Sequence, residues 1–374
     1  MTARPDAGTP GLAAITFSPR GGGIAAVSRL LRQALTDATG RPCPTFALAS
    51  SDRTFETSTA QRMAFGGRIA LAQWKRQCDW MMYTHLGLAT IERYMPVWPR
   101  RPYAVFLHDI EAWEPLAPSR CRIMAGAFVR LANSRFTAQR VEAANPEGGC
   151  VIACPLGLPV ERTETGADDR AHFEHGTQVV LIVGRMMADE RYKGHDQVLE
   201  AWPAISREAP GARLVCVGDG DDVPRLREKA ALLGVAGSVV FPGFVDDAEM
   251  KRMYGGAAVF VMPSRREGFG LVYLEAMAAR VPCIGSIHDA ASEVIVDGVT
   301  GYLVAQDDRS ALSQRILALL GDEGLRRRMG AAGFSRYRAE FTYDTFSRRV
   351  REHLRAGLAS ASHRASAGST SGAR

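Results

Sequence analysis

The sequence predicts an α/β protein made of two doubly wound parallel-sheet domains in succession. Three observations carry that prediction. Short apolar, β-branched runs alternate with amphipathic stretches of helical period along most of the chain. One polar stretch, 159–178, interrupts the alternation near the middle. The 374 residues leave room for two ordinary domains and a short tail. A composition of 46% hydrophobic and 23% charged residues excludes a disordered chain, a collagen-like fibre and a small disulfide scaffold. No apolar run is long enough to predict a transmembrane helix.

In the first half, strands are expected over 12–17, 45–49, 79–84, 103–108 and 128–132, with a sixth near 150–154. Between the first two, Val27, Leu30, Leu31, Ala34 and Leu35 make one helical stripe, with Arg29, Arg32 and Gln33 outside it. In the second half, 179–183, 213–217, 238–241, 259–262, 282–285 and 302–304 read as buried parallel strands. Helices are expected between them, at 196–207, 222–233 and 271–279. From 305 to about 355 the pattern is helical throughout. The Ser-, Ala- and Gly-rich stretch 359–374 offers no core residues, and a tail over 358–374 is expected to be disordered. The expected division is a domain over 1–160, a linker over 161–177 and a second domain over 178–340. Ligands of such sheets bind beyond the carboxyl ends of the strands, so a site shared by two facing domains is expected.

Charge is uneven. Residues 1–150 carry 18 Lys+Arg against 11 Asp+Glu, and the remainder 28 against 29. A basic first half suits an anionic lipid surface or a phosphorylated substrate, and equally a solvated Arg-rich surface. Nothing resembles a zinc finger or an RNA-binding aromatic signature, so no nucleic-acid partner is expected. The first ten residues hold one Arg and no apolar run, which predicts no secretory signal and a cytoplasmic protein. The seven cysteines are scattered and odd in number, against a disulfide framework. Cys150 and Cys154 read as two thiols on one face of a strand rather than as zinc ligands with His172 and His175.

Three segments could carry chemistry. Ser18-Pro19-Arg20-Gly21-Gly22-Gly23 falls between a strand and a helix, where bare backbone N–H groups attract anions. Gly21, Gly23 and Ala26 also fit G-x-G-x-x-A, but the second strand offers only a late Asp52 for a ribose. The loop is therefore either a phosphate cradle or a tight turn. Gly184-Arg185 with Lys193-Gly194 opens the second domain, and two cations there can converge on one diphosphate. Glu267-Gly268-Phe269-Gly270-Leu271, then Glu275, follows the strand that ends in Met262-Pro263-Ser264. Two carboxylates at different heights around glycine N–H groups suit the vicinal hydroxyls of a sugar or ribose.

Glu-x7-Glu after Pro-Ser, with Gly184-Arg185 and Lys193-Gly194 upstream, resembles the family-4 retaining glycosyltransferases of the GT-B fold. Val217-Gly218-Asp219-Gly220, Pro242-Gly243-Phe244-Val245, Ala132-Asn133-Ser134 and Pro155-Leu156-Gly157 add to the resemblance, which covers about 12–356. It implies two Rossmann-like domains facing a deep cleft, the first for the acceptor and the second for a nucleotide-sugar donor. It also implies that a helix over 341–357 crosses back to the first domain.

Carried over by position, Arg185 and Lys193 would hold the donor diphosphate and Glu275 the ribose. Glu267, with the N–H groups of Gly268, Phe269, Gly270 and Leu271, would grip the donor sugar. Gly22 and Gly23 would approach the phosphates, and Gly218, Gly220 and Val245 would line the base. His108, ending a strand, stands where the family keeps a sugar-contacting histidine; His85, Asp109 and Glu111 are acceptor-side candidates.

The implied reaction is retaining hexosyl transfer from a UDP- or GDP-sugar to a glycan or lipid-linked acceptor in polysaccharide or cell-surface glycan assembly. The protein would act in the cytoplasm, with peripheral contact to anionic membrane. No cofactor or metal is expected: Asp219-Gly220-Asp221 falls in the family's glycine-rich loop, and Arg185 and Lys193 already supply positive charge. The alternatives are a nicotinamide-dependent oxidoreductase using Gly21–Ala26 and a non-catalytic nucleotide-binding protein of the same fold.

Overall fold

The computed structural model describes residues 8–18, 21–49, 57–95, 101–108, 111–159 and 177–370. In chain order, the first half runs β1 (Pro10–Ala14), α1 (Gly22–Thr39), β2 (Thr45–Ala47), α2 (Thr59–Trp74), β3 (Trp80–Tyr83) and α3 (Leu86–Ala89). It continues β4 (Tyr103–Leu107), α4 (Pro118–Gly126), β5 (Val129–Ala132), α5 (Arg135–Ala144) and β6 (Ile152–Ala153). The second half runs β7 (Gln178–Val183), α6 (His195–Glu208), β8 (Ala212–Val217), α7 (Val223–Leu232), β9 (Val239–Gly243), α8 (Asp247–Gly256) and β10 (Ala257–Val261). It ends α9 (Leu271–Ala278), β11 (Cys283–Ser286), α10 (Ala291–Val294), β12 (Gly301–Val304), α11 (Arg309–Gly321), α12 (Glu323–Glu340) and α13 (Tyr343–Thr370).

The chain forms two compact units. One ends at Leu156 and resumes at Tyr343; the other is Gly157–Thr342. Each is an α/β unit built on a six-stranded parallel sheet, as the alternating pattern predicts. The strand order is β2-β1-β3-β4-β5-β6 in the first and β12-β11-β10-β7-β8-β9 in the second. The second order, counted from β7, is 3-2-1-4-5-6, the arrangement of nucleotide-binding doubly wound sheets. Connections reverse direction beside β1 and β3 in the first unit and beside β7 and β10 in the second, which marks where each sheet opens a crevice.

Near-continuous apolar strands bury both faces. Leu12, Met82, Val105 and Leu131 are sealed in the first sheet, and Val180, Leu214, Phe260 and Ile284 in the second. The α1 stripe is buried as its period predicts, from Val27 to Leu35. α13 packs on that helix and on β5, with the Tyr343 hydroxyl donating to Asp37.

Three details differ from expectation. β6 is only two residues long, so Cys150 lies outside it and exposed while Cys154 is buried, and they share no strand face. α13 runs on to Thr370, through most of the stretch expected to be disordered. Its second half contains Ala and Ser and no proline, so nothing there breaks an established helix. The first unit closes at Leu156 rather than 160, because Gly157 and Leu158 belong to the second: Leu158 N–H donates to the Phe341 carbonyl at 3.0 Å, and Tyr337 donates to the Leu158 carbonyl at 3.2 Å. The expected linker, apart from residue 177, lies outside the described residues.

Candidate active site

In the second unit, the predicted donor residues gather at the switch point. Gly184 and Arg185 follow β7, while Glu267 to Gly270 follow β10, its neighbour in the sheet. Arg185 and Lys193 converge, and the residue between them is a third one, Glu190. Its carboxylate accepts from the Arg185 guanidinium and lies 3.9 Å from Lys193 Nζ. Lys193 Nζ is also 3.9 Å from Glu267 Oε2, so the basic loop and the acidic loop meet through this lysine. Arg185 is 45% exposed at its side chain and Lys193 16%, which leaves the arginine open to an incoming anion.

Two glycines make the local backbone approach. A Cβ on Gly218, whose φ is +132°, would stand 2.0 Å from the Gly184 carbonyl oxygen, so the loop after β8 lies directly on the Arg185 turn. Gly220 is nearby, and Val245 follows β9, whose Gly243 carbonyl accepts from Gly218 N–H at 3.0 Å. Gly270 caps α9 at φ +84°, where a Cβ would strike the Tyr273 ring. That turn brings Gly268 and Gly270 to the start of α9 and lays Leu271 as its first residue. Phe269 points inward and packs edge-on against Phe341, with ring centroids 5.9 Å apart. Only its backbone is therefore available to a ligand.

Two supporting residues escaped the sequence reading. Tyr254 donates to Glu275 Oε2 at 2.8 Å, fixing that carboxylate in the second turn of α9. Asp289 is fully buried and accepts from Glu267 N–H at 3.2 Å and Ala291 N–H at 3.0 Å. The Ala290 N–H returns a bond to the Glu267 carbonyl at 3.2 Å, so the acidic loop is tied at both backbone groups. Burial, reinforced by the Glu267 charge, pushes the Asp289 carboxyl up to about 8 in spite of those N–H donors. His195, just after Lys193-Gly194, is also buried, and burial with the Lys193 charge lowers it to about 4. Neither tie has a sequence signature: Tyr254 lies 21 residues before its partner and Asp289 lies 22 after.

In the first unit, His85, His108 and Glu111 form one hydrogen-bonded cluster beyond β3 and β4. His85 Nδ1 accepts the Gly87 N–H at 2.9 Å, so Nε2 carries the proton and donates to Glu111 Oε2 at 2.9 Å. Glu111 also accepts from Leu86 N–H at 2.9 Å and His108 N–H at 3.0 Å. Burial opposes ionisation of this carboxyl, but the two histidines and those donors outweigh it and hold it below its ordinary value. His108 is 4% exposed, and its Nε2 donates to the Thr84 carbonyl at 2.5 Å. Burial lowers it to about 4, which makes it a neutral Nε2–H tautomer at physiological pH. Here His108 makes an internal tie between the ends of β3 and β4. Asp109 lies outside the described residues.

The glycine-rich loop is represented by Gly21, Gly22 and Gly23. Gly22 has φ +67°, and a Cβ on Gly23 would meet open space, so the start of α1 is accessible. Among the described residues, no group of three or more His, Cys, Asp or Glu is disposed to hold a metal, and no helix is long and apolar enough to cross a membrane.

Residues 167–336 match the family model for glycosyl transferases group 1. A GDP-mannose-dependent alpha-(1-6)-phosphatidylinositol monomannoside mannosyltransferase from Mycobacterium tuberculosis is 30% identical over 263 residues, 66% of this chain and 67% of that one. The chain belongs to the glycosyl transferases group 1 family. The enzyme of the same name from Mycolicibacterium smegmatis is 32% identical over 241 residues, which is 60% of this glycosyltransferase but only 62% of that relative's length. Among solved structures, sucrose-phosphate synthase from Thermosynechococcus elongatus superposes with a TM-score of 0.79 at 21% identity, covering 94% of this chain and all of that one. The Anabaena protein HepE in complex with UDP and glucose gives 0.74 at 18% identity, over 93% of this chain and all of its own. The fold is that of the GT-B glycosyltransferases. Membership of this family does not favour the oxidoreductase reading of Gly21–Ala26.

Proposed function

We propose that this glycosyltransferase moves a sugar, with mannose from GDP-mannose the first candidate, to a membrane glycolipid with retention of configuration. The observation that carries the reading is the charged cluster at the β7–β10 switch point. Arg185 and Lys193 are held together there by an acid that an incoming diphosphate can replace. The substrates in the names of those relatives, GDP-mannose and phosphatidylinositol monomannoside, support these donor and acceptor classes.

The chemistry follows from the charges. When the sugar–phosphate bond breaks, negative charge grows on the departing diphosphate; Arg185 and Lys193 meet it and lower the barrier. Because these two side chains supply the positive charge, no divalent cation is required. Glu275, steadied by Tyr254, holds the ribose hydroxyls. Glu267, tied by Asp289, holds hydroxyls of the sugar. The Gly268 and Gly270 N–H groups at the start of α9 add an anion-facing dipole. The acceptor hydroxyl attacks from the face that the diphosphate leaves, and its proton passes to the departing phosphate oxygen, which balances the step without an enzymic nucleophile. The excess of 18 cations over 11 anions in 1–150 suits peripheral contact with the anionic inner leaflet.

The test is calorimetry and a radiolabelled transfer assay with GDP-mannose, UDP-glucose and NADH, using phosphatidylinositol monomannoside in mixed micelles as acceptor. A response to a nucleotide sugar, labelled lipid product of retained configuration, and equal rates with and without EDTA are expected. Binding of NADH alone would reject the reading.

A further inference from the structure

The first unit carries a groove of about 860 Å³ that no donor residue touches. It opens beyond the carboxyl ends of β1, β2 and β3, where Ile15, Leu48 and His85 follow the strands, at that sheet's own switch point. α2 forms one wall and the α3 region the other. Gly66 lets the walls close at the floor: a Cβ there would stand 2.4 Å from Ile91 Cδ1. One turn position on, Gly67 faces the groove with nothing within 4 Å of where its Cβ would be.

Two features say what fills it. Its walls are mostly apolar, and two of their side chains, Met63 and Tyr94, are 73% and 77% exposed, an arrangement that water disfavours. Among the described residues, the polar side chains that line it include Arg62, Arg120 and His85 but no aspartate or glutamate. An apolar trough with two arginines on its walls is complementary to an amphiphile that joins hydrocarbon to an anion.

We propose that this groove seats one acyl chain of the anionic phospholipid acceptor, with the lipid phosphate against Arg120 and Arg62. This rests on the glycolipid reading above and makes it specific: the enzyme selects its acceptor by chain as well as by head group.

The probe is phosphatidylinositol with a fluorophore at the end of one acyl chain, held in phosphatidylcholine nanodiscs and titrated with the full chain. Emission should shift on binding and become shielded from a quencher carried on the acyl chains of the surrounding lipids. Gly67→Trp fills the trough from an open position and should weaken the probe about tenfold, equivalent to roughly 1.4 kcal/mol. Thermal shift by GDP should be the same in the variant and the parent, which verifies folding. Arg120→Gln should weaken anionic probe only, leaving a neutral diacylglycerol probe unaffected.

An unchanged probe affinity in Gly67→Trp overturns the proposal. So does binding to anionic vesicles in which the fluorophore keeps its bilayer environment, the signature of a surface contact alone. Concentration-dependent dimerisation that the lipid does not disturb also overturns it, since a second copy would then be the occupant. A parent protein that shields the probe but transfers no sugar to phosphatidylinositol monomannoside leaves the groove standing and rejects the proposed reaction instead.

Discussion

The two sheets share an architecture and differ in what they place at their switch points. Beyond β7 and β10, charge is exposed and unevenly satisfied: Arg185 is half open, and Lys193 is 3.9 Å from two carboxylates. Beyond β3 and β4, His85, His108 and Glu111 satisfy one another and the backbone, and the space beside them is an apolar groove. Loosely paired charge is ready to exchange partners with an ionic ligand, whereas a closed hydrogen-bond cluster gives a rigid wall. On the proposed reading, one unit receives phosphate and the other holds shape.

The comparison can be broken most sharply at Arg185. Arg185→Ala should lower turnover by about 100- to 1000-fold with thermal stability little changed, because an exposed pair adds little to folding. Steady-state kinetics beside a melting curve would decide it. The opposite signature is expected at Glu111. Glu111→Gln removes the charge that two backbone N–H donors and the His85 Nε2–H point at, so stability should fall by about 2 kcal/mol, read from the urea midpoint. A melting curve unmoved by that change would mean the first cluster is not the rigid wall described.

Smaller effects sharpen it through pH. Asp289 has its folded pKa raised from 3.8 to about 8, so its contribution to stability is complete below pH 4 and declines as pH rises towards 8. Asp289→Asn should flatten that decline and raise the KM for the donor more than it alters kcat, since the residue positions Glu267 without touching substrate. His108 is displaced the other way, from 6.5 to about 4. A histidine kept neutral by folding contributes stability that is present above pH 6.5 and lost as pH falls towards 4. His108→Asn should abolish that acid-side loss; an identical pH profile in the variant would assign the loss elsewhere.

Legibility followed the same division. The second unit's loops were readable because their chemistry is contiguous: Gly184-Arg185, Lys193-Gly194 and Glu267-Gly268-Phe269-Gly270 each pack a turn and its ligand groups into a few residues. Glycine marks where backbone must pass closely, as at Gly218 against the Gly184 carbonyl. The sheets were readable from their apolar runs, with ends displaced by a few residues where a strand's last members bend away, as at 15–17 after β1. Ties across the fold were not readable. Asp289 looks in sequence like any polar loop residue, and only its burial behind Glu267 gives it a role. The groove was hidden for a related reason: its walls come from α2 and from the segment after β3, and no local pattern says that two stretches will fail to fill the space between them. His108 was located from its strand end, but sequence could not show that its Nε2 is bound to Thr84.

The return of the chain at Tyr343 has a bearing on biosynthesis. The face of α1 that α13 covers stays wet until the ribosome has made the entire second unit, a delay on the order of ten seconds or more. During that interval the nascent first unit is an unfinished object with an apolar flank in need of shelter. Premature termination anywhere in the second half would therefore damage the half already translated.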